Sequence, residues 1–286
     1  MSRLIGLSLL VLFWLSGAAH ALDPLEELKK TIEQQGGKQS GPGGAVDLGG
    51  LGALSGFSQE EEVAIGRQAA GNILGAAPLV KDSLLQGYVN RVGRWVASRS
   101  ERPDLEWHFG VIESEDLNAF AAPGGYVFVT KGLYRALQSE SELAGVLAHE
   151  VGHVVKKHHL KILQQSRLVD IGGKLLTTKV GENEYVKKLI GNGAEIFARS
   201  LDKNAEFEAD RIAVVLAARA GYDPFGLPTV LQDLSRVAKD DSRISLLFKT
   251  HPHPDDRLAQ LGEAIGARLD GVKGQTLQQR FYRIKP

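Results

Sequence analysis

The 286-residue sequence predicts an α+β fold, several helices around one small sheet. Two short β-prone runs, Trp107–Ile112 and Tyr126–Thr130, lie close together in the chain. Helical periodicity flanks them on both sides, and no internal repeat points to a solenoid. Composition agrees: 43% hydrophobic and 24% charged residues are the balance of a globular chain. Lys+Arg and Asp+Glu are both 34, which removes the basic surplus of a nucleic-acid binder. Cysteine is absent, so disulfides, thiolate metal sites, a cysteine nucleophile and a lipid-modified cysteine are excluded.

In chain order, Arg3, the apolar run Leu4–Leu15 and the ending Ala19-His20-Ala21 describe a signal peptide over residues 1–21, cleaved after Ala21. The apolar run is too short for a spanning helix, which needs about 20 residues. The mature protein is expected outside the cytosol, and the lack of cysteine rules out a lipoprotein. Residues 22–57 read as a flexible linker. A short helix fits Leu25–Gln34, but nine glycines follow from Gly36 to Gly56. A single domain is expected over 58–286. Ser58 and Glu61 have capping-box spacing ahead of Val63, Ile65, Ala69 and Ile73. A helix over Leu84–Ser98 places Leu85, Val89, Val92 and Val96 on one face. Between the two β runs, Leu117–Ala121 is a further extended segment. Ser139 and Glu142 open a helix through Leu143, Val146, Leu147, Val151 and Val155. Another spans Asn204–Ala220 and stops at Gly221, and a last one, Asp256–Leu269, follows a proline-punctuated loop in which Asp255 or Asp256 serves as cap. Residues 160–203 separate the two strongest helices, and Gly172-Gly173 and Gly191–Gly193 are candidate hinges there.

The chemistry concentrates in His149-Glu150-Val151-Gly152-His153. On a helix, i and i+4 share a face, so both imidazoles can address one metal ion while Glu150 stands beside them as a general base. Random placement of the 8 histidines and 19 glutamates predicts about 0.015 such matches. A catalytic zinc needs a third protein ligand. His159 is one candidate, but Lys156 holds the position where a sharp turn is required, so the helix is expected to continue and leave His158 and His159 facing solvent. Glu206 is the preferred candidate. Asp210, one turn on, can hydrogen-bond a ligand imidazole, and Glu208 points elsewhere, toward solvent. Thr250-His251-Pro252-His253-Pro254-Asp255-Asp256-Arg257 adds a histidine and an arginine suited to a developing oxyanion.

Taken together, HExxH, Glu-x-x-Ala-Asp and (Ser/Thr)-His-Pro-x-x-x-x-Arg resemble the gluzincin family of the CAAX prenyl-protein endopeptidases. The segment Asn118-Ala119-Phe120-Ala121-Ala122-Pro123-Gly124-Gly125 resembles that family's edge-strand motif. The resemblance runs from about Ser58 to Leu269 and is to the soluble periplasmic branch, without the helical TPR repeats found there. It implies a mostly helical zincin-type metallopeptidase domain whose edge strand faces the active site. It also implies one zinc per chain on His149, His153 and Glu206, with Glu150 as base and Asp210 behind the ligands. His251 and Arg257 would attend the oxyanion, and Asn118, Ala119, Phe120 and Ala121 would bind substrate by strand addition. The function expected is zinc-dependent cleavage of unfolded or misfolded envelope proteins in the periplasm, with peripheral association with the membrane or outer-membrane proteins as a further expectation. The alternative is a latent or chaperone-like zinc protein closed by His251.

Overall fold

The computed structural model describes residues 56–165, 201–238 and 240–284. The signal peptide, the linker up to residue 55 and the glycine pairs at 172–173 and 191–193 lie outside them. Helix α1 is Gln59–Ala76, and its capping box is complete: Ser58 Oγ accepts from Glu61 N–H while Glu61 accepts from Ser58 N–H. Phe57, one residue ahead of the expected start, already packs against Ile65, Leu160 and Leu163. Helix α2, Ser83–Ala97, is capped by Asp82 and buries the expected face of Leu85, Val89, Val92 and Val96. Burying each such side chain contributes about 1.5–3 kcal/mol.

Three strands follow: β1 His108–Ile112, β2 Ala119–Ala122 and β3 Tyr126–Thr130. Their order is β1-β3-β2, with β1 parallel and β2 antiparallel to β3. Phe120 stands opposite Phe128. The β2–β3 link needs its glycines. Gly124 has φ 74°, and a Cβ there would stand 2.9 Å from Val63 Cα of α1. Among the described residues, β2 pairs with β3 alone and its other side has no strand partner.

Helix α3, Lys131–Ala136, is capped by Thr130 and leads to α4, Glu140–Val155, capped by Ser139. The capping box differs from the expected one, since Glu142 reaches back to the N–H of Gln138 and to the Ser139 hydroxyl. Helix α4 is buried almost along its whole length and packs along α5, Lys203–Arg219. Next come α6 Gly226–Ser235, α7 Ser245–Thr250, α8 Pro254–Ile265 and α9 Gln278–Tyr282. Helices α4 and α6 meet backbone to backbone. A Cβ at Gly145 would lie 2.6 Å from Leu227 N, and one at Gly226 would lie 2.2 Å from Ser141 O. The main core joins α2, one face of the sheet, α4, α5, α6 and Phe281 of α9.

Two boundaries correct the sequence reading. Helix α4 ends at Val155 rather than continuing, because Lys157 adopts a left-handed φ of 55° and helical turns resume at 158–165. Helix α8 begins at Pro254, not Asp256. His253 is its cap, accepting from Asp255 N–H, so Asp255 and Asp256 fall in the first turn, and Gly266 at φ 48° ends the helix at Ile265.

Candidate active site

Helix geometry brings His149 and His153 together on the face of α4 that meets α5. Their Nε2 atoms are 2.9 Å apart and their rings stand at 81°. Glu206, in the first turn of α5, puts one carboxylate oxygen 3.5 Å from each Nε2. The short link between α7 and α8 delivers His251, whose Nδ1 is 2.8 Å from Glu206 Oε2. One ligand atom from each of His149, His153, Glu206 and His251 lies within 4.8 Å of the others, and all four residues are buried. The donor set fits a divalent ion. Two imidazole nitrogens 2.9 Å apart need an ion or a proton between them, and among the described residues Glu206 Oε1 is buried with no hydrogen-bond partner. Imidazole and carboxylate donors without sulfur suit a divalent transition-metal ion.

Behind His149, its Nδ1 is 2.9 Å from Asp210 Oδ1. Arg257 grips the same carboxylate with two bonds, Nε to Oδ2 at 2.9 Å and Nη2 to Oδ1 at 2.6 Å. Burial opposes charge on Asp210, but the Arg257 guanidinium outweighs it and holds the carboxyl well below its usual range. Burial and Arg257 likewise oppose a charged His149, yet Asp210 and Glu206 prevail and push it up to about 9. Burial raises the Glu150 carboxyl.

Glu150, His153 and His251 share one cleft with Ala119, Phe120 and Ala121 of β2. Three of the four expected substrate-binding residues thus face the site. Asn118 does not. It is fully buried and anchors the strand, its side-chain oxygen accepting from Ala119 N–H and its amide reaching Thr250 Oγ1 at 3.5 Å. Arg257 is also displaced from its expected place, since it is buried against Asp210 and His149 and is not part of the cleft lining. Of the two expected oxyanion donors, only His251 reaches the cleft.

Sequence reasoning missed the surroundings of His153. His158 and His159, expected in solvent, are 3% and 9% exposed. The break at Lys157 turns them back under α4. His158 Nδ1 lies 2.9 Å from His153 Nδ1, and its Nε2 lies 3.2 Å from Glu208, which is half-exposed rather than simply solvated. His159 lines the cleft without joining the four-donor group, and burial drives its imidazole down to about 4. Glu62 is a further surprise. Wholly buried on α1, it accepts from Gly124 N–H and pairs with Arg102 and Lys157, tying the β2–β3 turn to the break in the chain. A third consecutive glutamate in a capping segment gives no sequence signal for that role.

Comparison with known proteins agrees with this geometry. The sequence pattern of peptidase family M48 matches residues 83–265. The β-barrel assembly-enhancing proteases of Yersinia pestis and Escherichia coli (strain K12) are 34% and 33% identical over 218 residues, 73% of this chain and 45% of theirs. A mitochondrial metalloendopeptidase of Schizosaccharomyces pombe is 29% identical over 176 residues, 62% of this chain and 52% of its own. The chain spans about half the length of the curated relatives it matches.

Proposed function

Because the chain belongs to peptidase family M48, we propose that it is a metalloendopeptidase whose ion is zinc and whose substrates are unfolded or misfolded proteins of the bacterial envelope. The observation that carries this reading is the meeting, in one cleft, of Glu150 and His153 with the one-sided strand β2. His149, His153 and Glu206 hold the ion. With the ion bound, Asp210, itself held by Arg257, would accept from His149 Nδ1–H and leave Nε2 to the metal. Zinc, when bound, supplies a Lewis acid that acidifies water and polarises a carbonyl oxygen. Glu150 takes the proton from the attacking water at its carboxylate and delivers it to the departing amine. The open edge of β2 aligns an extended chain by main-chain hydrogen bonds, which favours unfolded segments over folded ones. Asn118 holds that edge in register with Thr250 and so acts on substrate through the strand.

Residues 1–21 serve as the export signal and 22–57 as a tether in this reading. Among the described residues, no helix is long and apolar enough to cross a membrane. The names of two relatives, β-barrel assembly-enhancing proteases, support an envelope quality-control role.

Glu150→Gln keeps the donor set and removes the base. Its zinc content should equal that of the wild type, while casein cleavage falls by about 10²–10⁴-fold. Retained cleavage by a zinc-loaded Glu150→Gln protein would sink the mechanism. A second expectation comes from His251, which stands inside the donor group on Glu206. We read this placement as one that closes the ion's remaining position and leaves the peptidase latent. His251→Ala should increase casein cleavage at unchanged zinc stoichiometry, and a loss of activity would instead make His251 a required oxyanion donor.

A further inference from the structure

Each imidazole on the α4 face has its second ring nitrogen engaged, but by different means. His149 turns its Nδ1 directly on Asp210. His153 turns its Nδ1 on another imidazole, that of His158, at 2.9 Å with the rings at 70°. Beyond it, His158 Nε2 meets Glu208 Oε2 at 3.2 Å. An ionised carboxylate only accepts, so the proton between Glu208 and His158 sits on His158 Nε2. A neutral His158 then has a bare Nδ1 and must accept, so His153 Nδ1 carries the next proton. His153 Nε2 is left bare and aimed at Glu206 and His149.

We propose that Glu208 and His158 are positioning residues, a two-step relay that fixes His153 in the tautomer a metal ion requires. This rests on the metal-site reading above and extends it to residues that touch neither ion nor substrate. The backbone carries an independent sign of the same design. Lys157, a non-glycine residue, is held at φ 55°, the left-handed region that L side chains rarely adopt. That turn is what brings His158 back beneath His153. Glu62 holds it there through the Lys157 ammonium at 3.2 Å. The outer end of the relay stands at the surface, where His158 and Glu208 share a second cavity with Lys161 and Arg211. The seat of the ion is thus wired on one side to a buried arginine and on the other to a carboxylate that solvent can reach.

The test measures zinc affinity by chelator competition in the purified protein, with the melting temperature of the metal-free form beside it. Glu208→Ala should weaken zinc binding by about tenfold and His158→Phe by up to about 100-fold. Glu208→Gln should stay within about threefold of the wild type, because its amide oxygen accepts the same N–H bond. Metal-free melting of the Glu208 variants should not change, since that carboxylate is half-exposed. Nitrogen-detected NMR of the metal-free wild type should place the His153 proton on Nδ1. Unchanged affinity in both Glu208→Ala and His158→Phe, in a protein that binds zinc, overturns the relay. So does a His153 proton found on Nε2. A wild-type protein that takes up no zinc would refute the metallopeptidase reading instead, and the NMR result would still decide the relay.

Discussion

Glu140 and Glu206 are both wholly buried carboxylates in the first turn of a helix, and their surroundings are opposite. Glu140 opens α4, and every lone pair it offers is engaged. Tyr88 donates to one oxygen at 2.6 Å, Tyr222 to the other at 2.7 Å, and Arg280 of α9 bridges both. Glu206 opens α5 with one oxygen against His251 and the other without a hydrogen bond, and three imidazoles surround it. Burying a charge is tolerable when its bonds are complete, so Glu140 reads as architecture. Among the described residues Glu206 is left incomplete in the same core, which is what the proposed metal site requires of it.

Exchanging each for its amide should separate the two roles. Glu206→Gln gives the largest effect: zinc affinity falls by more than about 100-fold and casein cleavage disappears with it. The metal-free protein should melt no lower than the wild type, and a large drop would erase the distinction. Glu140→Gln should show the reverse, losing roughly 2–3 kcal/mol of stability at neutral pH while the folded protein keeps its zinc stoichiometry. The pH dependence sharpens this. Burial raises the Glu140 carboxyl, but Arg280 and the two tyrosines outweigh it and hold the group below its ordinary 4.5. A depressed carboxyl contributes stability above the unfolded value and loses it as pH falls below that value. Denaturant titrations of wild type and Glu140→Gln should therefore differ at pH 7 and converge in acid below 4.5. The smallest effect belongs to Tyr222→Phe, about 1 kcal/mol, because Tyr88 and Arg280 remain on Glu140. A thermal melt that shows no loss would mean the Tyr222 bond adds nothing to the network.

Whatever the sequence states locally was legible in it. The spacing of His149 and His153 fixes a shared helix face, Ser58 and Ser139 mark helix starts, and the alternation around Phe109 and Val111 marks a strand. Helix α6 was also within reach, since Leu227, Val230, Leu231 and Leu234 follow helical spacing and are all buried. Contacts across long stretches of chain were not legible. Glu140 meets Arg280 at a separation of 140 residues, and Arg257 reaches Asp210 across 47, with no periodicity to announce either. Lys157 misled for a different reason. Lysine favours a helix, and here tertiary packing on Glu62 overrides that preference, so His158 and His159 turn inward.

With Gly145 pressed on the Leu227 backbone and Gly226 on that of Ser141, α4 and α6 meet with no side chain between them at these two points. His149 and His153 thus stand on a helix seated backbone to backbone against its neighbour, where no change of side-chain rotamer can loosen the fit. Three residues, His251 to His253, join α7 to α8, and His251 is the part of the donor group they carry. The donor group therefore draws on two kinds of support, a tightly packed helix for His149 and His153 and a three-residue link for His251.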